Sequence, residues 1–253
     1  MPVRKGGLGN QLFQVAAAFV YAKETGRELW IPKEEQSNSH NRLNLDYGKL
    51  FAELGTLGSM NSVNTYTRYP GEPTFGPWDS MEISGNLLLD GYFQWYPALS
   101  RHEEEIREKL LKGLGKPTPS NTRIGIHVRR GDYLHSAFKD IFPVQPLSYY
   151  EAALKLVLKE GFEVWVFSDD MGWCREQRVF RELPGVVFVD EPNEIAALGL
   201  MATCGGGMIC ANSTFSWWGA FLGAYGKRNP VVVPKNWIRG GCGDLFPSEW
   251  IVL

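Results

Sequence analysis

From Ile124 onward the chain keeps an alternation that few folds accommodate. Five short apolar runs, Ile124–Val128, Val164–Phe167, Val186–Val189, Met208–Cys210 and Val231–Val233, are separated by stretches with helical spacing. Runs with apolar residues at consecutive positions leave no solvent face, so they predict strands covered on both sides. Such strands alternating with helices make a parallel sheet, an α/β fold. Ligands bind beyond the carboxyl ends of the strands in these sheets, so the residues just after each run are the first functional candidates.

The segments between the runs fit this reading. Ser148 and Glu151 have capping-box spacing ahead of an apolar face of Tyr150, Ala153, Leu154, Val157 and Leu158. Further helices are predicted over Trp173–Leu183, Pro192–Cys204 and Thr214–Tyr225. Nearer the start, the stub Val3-Arg4 and the turn Gly6-Gly7-Leu8-Gly9 precede Leu12, Phe13, Ala16, Phe19 and Val20, which recur at helical spacing. Gly26 suits the end of that helix and Leu29–Ile31 the next strand. Ser100 and Glu103 predict a second capping box, with Ile106, Leu110 and Leu111 facing inward and Gly113 ending the helix. Glu34–Pro97 has no clean period and is expected to be irregular. Gly113–Asn121, rich in proline and glycine, reads as a linker, which divides the chain into residues 1–115 and 120–253.

Composition excludes some functions. A net charge of −2 gives no general attraction to nucleic acid or anionic lipid. Cys174, Cys204, Cys210 and Cys242 form no C-x-x-C pair and are expected to be reduced thiols. Arg4 and Lys5 ahead of an apolar stretch resemble a signal peptide, but Asn10, Gln11 and Gln14 interrupt it, and no run reaches membrane-spanning length. A soluble, cytoplasmic protein of a bacterial or virus-infected cell is expected, with no nucleic-acid partner.

Four segments could carry chemistry. His127-Val-Arg-Arg-Gly-Asp132 ends a strand, and paired guanidinium forks there suit a phosphate or pyrophosphate. Two surface arginines in a turn, with Asp132 as a salt-bridge partner, is an equally open reading. Asn212-Ser-Thr-Phe-Ser-Trp-Trp-Gly-Ala-Phe-Leu222 places a polar cap and free N–H groups at a helix start, an anion site, with Trp217, Trp218, Phe221 and Leu222 as core. Gly6-Gly-Leu-Gly-Asn-Gln11 is a weak phosphate-loop signal, because it lacks both G-x-G-x-x-G spacing and a Lys-Ser/Thr pair. It could equally aim Asn10 and Gln11 into a cleft, and the missing Lys disfavours a kinase or NTPase. Phe167-Ser-Asp-Asp170 offers two carboxylates that could hold Mg²⁺ or a ribose hydroxyl, or simply cap a helix. Tyr92, Phe93, Trp95 and Tyr96 could stack on sugar rings.

In this order GGLGNQLFQ (Gly6–Gln14), GYFQ (Gly91–Gln94), HVRRGDY (His127–Tyr133), FSDD (Phe167–Asp170) and NSTFSWWGAFL (Asn212–Leu222) resemble the α-1,2-fucosyltransferases of glycosyltransferase family 11. The resemblance spans nearly the whole chain. It implies a GT-B-like α/β fold, two Rossmann-like halves facing across a cleft. It also implies GDP-fucose as donor, a galactoside or oligosaccharide acceptor, inversion at the anomeric carbon, and neither cofactor nor metal. By that likeness Arg129 would clamp the β-phosphate, with Arg130 and Asp132 supporting the loop. His127 would lie near the guanine. Asn212, Ser213, Thr214, Phe215 and Ser216 would face the pyrophosphate. Gly9 and Asn10 would lie in the first-half loop, with Asn10 towards the reactive centre. Related enzymes carry an Asp thought to bind guanine where this chain has Ala197, and Glu194 lies one helical turn earlier. Asp132 and His135 are the candidates for catalytic base. Another GDP-sugar or linkage, or a non-catalytic GDP-sugar or glycan-binding protein, stays open beside the fucosyltransferase.

Overall fold

The computed structural model describes residues 1–33, 43–59, 67–70, 84–135, 138–223 and 229–253. The chain forms two compact units, Met1–Lys116 with Gly243–Pro247, and Pro117–Cys242 with Ser248–Leu253. The passage at Lys116–Pro117 falls within Gly113–Asn121, where Gly115 and Lys116 adopt φ of 81° and 57°.

The first unit contains α1 (Leu8–Glu24), β1 (Trp30–Pro32), α2 (Gly48–Phe51), β2 (Thr56–Gly58), β3 (Thr67–Pro70), β4 (Leu87–Asp90), α3 (Tyr96–Leu99) and α4 (Glu103–Gly113). α1 is buried along most of its length, its polar Gln11 and Gln14 included. It ends as Gly26 predicts: with φ at 66°, the Arg27 N–H reaches back to the Ala22 carbonyl at 2.8 Å. β1 pairs with β2 and β3 with β4, both in parallel. The Val3-Arg4 stub runs parallel to β4 on its other side. Leu89 N–H donates to the Met1 carbonyl and Val3 N–H to the Leu89 carbonyl, each at 2.7 Å. The capping box at Ser100 does not form. Ser100 follows α3 directly, inside a helical run, so its hydroxyl bonds back to the Pro97 carbonyl at 3.0 Å and the Glu103 carboxylate takes the Tyr96 hydroxyl. Ile106 and Leu110 are buried as expected.

The second unit contains β5 (Arg123–Val128), α5 (Leu147–Val157), β6 (Glu163–Ser168), α6 (Met171–Glu176), α7 (Arg178–Arg181), β7 (Val186–Val189), α8 (Glu194–Met201), β8 (Gly207–Ile209), α9 (Thr214–Gly223), β9 (Val231–Val233) and β10 (Ile251–Val252). Its six strands make one sheet in the order β10-β9-β8-β5-β6-β7, with every pairing parallel. The apolar runs form β5 to β9. β7 lies at the sheet edge with Val187 exposed, so the expectation of cover on both faces does not hold for it. α5 lays Tyr150, Ala153, Leu154 and Val157 into the core around Ile124, Ile126, Val164 and Val166. α5 starts one residue before Ser148, with Pro146 at its cap, so Ser148 makes no cap. The helix predicted over Trp173–Leu183 breaks at Gln177, which is extended (φ −77°, ψ 125°). The break turns Phe180 edge-on to Tyr150 at 5.3 Å. α8 starts at Glu194 because Asn193 Oδ1 accepts the N–H groups of Ile195 and Ala196 at 3.0 and 3.1 Å. Parts of Glu34–Pro97, and Ala224–Tyr225 at the end of α9, lie outside the described residues. Among the described residues no helix is long and apolar enough to cross a membrane.

Candidate active site

β5 and β6 run in register, His127 beside Phe167 and Val128 beside Ser168, so the turns at their carboxyl ends meet. Through that register the FSDD segment holds the RRGD turn. Arg129 pairs through Nη2 with Asp132 Oδ1 at 2.7 Å and through Nη1 with Asp169 Oδ2 at 3.2 Å. Asp169 Oδ1 accepts the Arg130 backbone N–H at 2.9 Å. Arg130 Nε reaches Asp170 Oδ2 at 3.0 Å, and its guanidinium lies 3.9 Å over the Trp173 ring. Asp170 also caps α6 through Trp173 N–H at 3.2 Å. Burial opposes the Arg129 charge, but Asp169 and Asp132 outweigh it and raise its pKa, so the group stays cationic. The turn therefore sets three carboxylates against two guanidinium groups and is not positive on its own. The carboxylates fix where the forks point, and each Arg129 terminal nitrogen carries a second N–H beyond the one paired.

The positive end comes from α9. Trp217 N–H makes the first bond of the helix, to the Ser213 carbonyl at 3.0 Å, so the N–H groups of Thr214, Phe215 and Ser216 have no intrahelical acceptor. The helix dipole favours an anion there. Two contacts bring this end to the RRGD turn. The Tyr133 hydroxyl donates to the Asn212 carbonyl at 2.8 Å, and the His127 ring lies 5.8 Å from the Phe215 ring. The Arg129 guanidinium sits 5.5 Å from the Tyr133 ring, closing the circuit. His127 is buried, and burial followed by the Arg129 charge pushes its pKa down to about 3, so it is neutral. Its Nδ1 finds no hydrogen-bond partner in the protein.

In the first unit the Gly6–Gln14 and Gly91–Gln94 segments form one polar network. Gln14 clasps the Lys5 backbone on both sides, accepting its N–H at 3.0 Å and donating to its carbonyl at 3.1 Å. Gln11 Nε2 donates to the Gly6 carbonyl at 2.9 Å and its Oε1 accepts from Arg4 at 3.2 Å. Gln94 Nε2 donates to Asn10 Oδ1 at 3.1 Å. Gly6 has φ of 76°, which favours glycine, and a Cβ there would press on Asn10 Nδ2 at 2.8 Å.

A family model described as glycosyl transferase family 11 matches residues 79–251, which take in the Gly91–Gln94, RRGD, FSDD and α9 segments. The chain belongs to glycosyl transferase family 11. An O-antigen biosynthesis glycosyltransferase of Escherichia coli is 28% identical over 98% of both chains. An α-1,2-colitosyltransferase of the same organism is 24% identical over 97% of this chain and 96% of its own. A galactoside α-(1,2)-fucosyltransferase 2 of Bos taurus is 27% identical over 86% of this chain and 67% of its own. The protein is accordingly a glycosyltransferase.

Within this family 11 enzyme the expected site residues divide. His127, Arg129, Arg130, Asp132, Thr214 and Phe215 come together in the second unit around the RRGD turn and the start of α9, Thr214 and Phe215 half-buried and reachable. Asn212, Ser213 and Ser216 are buried. Asn212 spends Nδ2 on the Pro143 and Trp237 carbonyls at 3.0 and 2.9 Å, which ties two loops to the end of β8. Glu194 begins α8, and Ala197 is buried in the same helix. Gly9 and Asn10 belong to the first unit, in the first turn of α1. Among the described residues no three His, Cys, Asp or Glu side chains converge as metal ligands. Asp169, Asp170, Tyr133 and Trp173 enter the site as residues that hold the arginines. FSDD offered its carboxylates openly in the sequence, but their partners 39 and 40 residues away in the chain depend on the register of β5 and β6.

Proposed function

We propose that the enzyme transfers fucose from GDP-fucose to the 2-hydroxyl of a galactoside, with inversion at the anomeric carbon and no metal ion. The observation that carries this is the union of the RRGD turn with the start of α9 through Tyr133 and Asn212. Fucosyl transfer passes through an oxocarbenium-like state while GDP leaves as an anion. Preorganised donors at the leaving oxygens lower that barrier. Arg129, oriented by Asp132 and Asp169, contacts the β-phosphate, and the first N–H groups of α9 take the remaining oxygens. The unpartnered Nδ1 of His127 is a ready contact for a donor group, since an unmet buried nitrogen costs about 1–3 kcal/mol. The engagement of Asp169 and Asp170 by the two arginines supports metal independence. A cytoplasmic setting completes the reading.

A second donor stays in view on one observation. A relative that matches nearly the whole chain is named as an α-1,2-colitosyltransferase, so the sugar carried by the nucleotide is an open position in this reading. Incubating the enzyme with GDP-fucose or GDP-colitose and a panel of galactosides, with NMR of the product linkage, tests both. A 2-linked fucoside is expected. Tight GDP-fucose binding with no product would favour a binding protein instead.

A further inference from the structure

The strand order of the second unit reverses at β5. β6 and β7 follow on one side of it and β8, β9 and β10 on the other, so the crevice between β5 and β8 is the switch point of the sheet. Sheets of this kind take ligands at that crevice, beyond the carboxyl ends of the strands. The two flanks of β5 are held differently there. Towards β6 the pairing runs out to Val128 and Ser168, at the edge of the RRGD and FSDD turns. Towards β8 it ends at Ile126 and Ile209, short of the RRGD turn and the start of α9. The bond that spans the gap beyond the ladder comes from a side chain, the Tyr133 hydroxyl on the Asn212 carbonyl at 2.8 Å. We infer that Tyr133 is a positioning residue, bridging the switch-point crevice so that Arg129 and the start of α9 face one nucleoside diphosphate together. The inference rests on the donor-binding reading of this site.

Tyr133 suits that task at both of its ends. Its turn is the clamp's own: Asp132, the residue before it, pairs with Arg129 Nη2 at 2.7 Å, and the guanidinium lies 5.5 Å from the Tyr133 ring. At its other end the hydroxyl holds Asn212, which stands immediately before Ser213, whose carbonyl takes the first bond of α9. Asn212 is anchored in turn, since its Nδ2 donates to the Pro143 and Trp237 carbonyls at 3.0 and 2.9 Å. The segment that carries Pro143 closes the ring. Phe142 stacks on Tyr133, with centroids 5.0 Å apart and planes 14° from parallel. Gln145 Nε2 ties the Pro143 and Asn236 carbonyls together at 3.2 and 3.0 Å. Tyr133 is buried, so its bond to Asn212 is made away from water, and losing the hydroxyl leaves a buried carbonyl unmet. The start of α9 would then shift against Arg129, and two sets of donors aimed at one diphosphate would lose their common geometry.

The test is nucleotide binding by calorimetry on the full chain, with GDP and GMP as probes. GMP lacks the phosphate that Arg129 is proposed to grip, so it reports on the fold and on the rest of the site. Tyr133→Phe keeps the ring and its stack on Phe142 and removes only the hydroxyl. GDP affinity should fall by about fivefold or more, while GMP affinity stays within about twofold of the parent. A second arm uses Arg129→Lys, which keeps the charge but not the fork. In that background Tyr133→Phe should change GDP affinity by less than about twofold, because no fork is left to aim. GDP and GMP weakened alike would mark Tyr133 as a structural strut and overturn the assignment. GDP affinity unmoved, or reduced by the same factor in both backgrounds, overturns it as well. Should Tyr133→Phe not fold, Phe142→Leu carries the test by loosening the ring from the loop side. A loss of about twofold or more on GDP with GMP unmoved supports the assignment, and any other result overturns it. A parent that binds GDP no more tightly than GMP overturns the clamp itself, and the assignment with it.

Discussion

The Asp169 carboxylate stands where a side chain on residue 131 would have to go. A Cβ built on Gly131 collides with Asp169 Oδ2, the oxygen that pairs with Arg129 Nη1. The glycine is therefore needed for the closeness of that carboxylate. Gly131→Ala must push Asp169 aside and release one brace on Arg129. Misplacing a reacting group by about 1 Å costs on the order of 100-fold in rate. We expect turnover to fall by at least about tenfold, with a stability loss of about 1–3 kcal/mol for the overpacking. Steady-state kinetics beside thermal unfolding checks both. Unchanged turnover would mean that Arg129 needs no help from Asp169.

Asp169 and Asp170 are ion-paired with Arg129 and Arg130. Asp169→Asn keeps an oxygen for the Arg130 N–H but turns an N–H₂ donor on Arg129. GDP affinity should weaken by about tenfold, the scale of one lost charge-assisted bond of about 1.5–3 kcal/mol. Activity of the parent should survive EDTA. A strict requirement for Mg²⁺ or Mn²⁺ would reassign both aspartates as metal ligands.

These relations also mark how far the residues alone could speak. The apolar runs announced the parallel sheet because burial on both faces leaves a signal at every position of an inner strand, although the run that forms β7 lies at the edge with Val187 exposed. Helix starts were less legible. Ser100 and Ser148 had the right spacing for caps, but a preceding helical turn and Pro146 claimed the cap positions, and only packed neighbours decide that competition. RRGD and NSTFSWW were visible as separate polar clusters. Their meeting through Tyr133 and Asn212 links residues 79 apart in the chain and depends on β8 lying beside β5. Asn212 also clasps the Pro143 and Trp237 carbonyls through its Nδ2, partners in loops with no pattern to announce them.

His127 should make the protein acid-sensitive. Its folded pKa, near 3, lies below the ordinary 6.5, because burial and then the Arg129 charge disfavour the cation. Between those two values the unfolded chain binds a proton that the folded chain refuses, so stability falls as pH drops from 6.5 towards 3 and is unaffected by this group above 6.5. His127→Gln removes the titration. In that window the melting temperature of the variant should decline less steeply with acid than that of the parent. Parallel slopes would place the His127 pKa close to its unfolded value.

Base recognition is the last expectation, and it turns on Ala197. The family resemblance puts a carboxylate there that would accept two parallel N–H bonds from guanine, the geometry that makes a pair of charge-assisted bonds selective. Alanine, buried in α8, offers neither acceptor. A site built to hydrogen-bond its substrate rejects an analogue lacking the partner groups by about 10⁴-fold, and a merely apolar site does not. We therefore expect GDP to outcompete ADP by no more than about 100-fold as a product inhibitor, unless Glu194 at the start of α8 supplies the bonds. Ala197→Asp should raise that ratio by about tenfold or more, the value of one well-placed charged hydrogen bond. Glu194→Gln separates the two cases. If it collapses a large GDP preference in the parent, Glu194 reads the base. If the parent has little preference and Glu194→Gln changes nothing, the Asp-to-Ala departure has left the base pocket permissive.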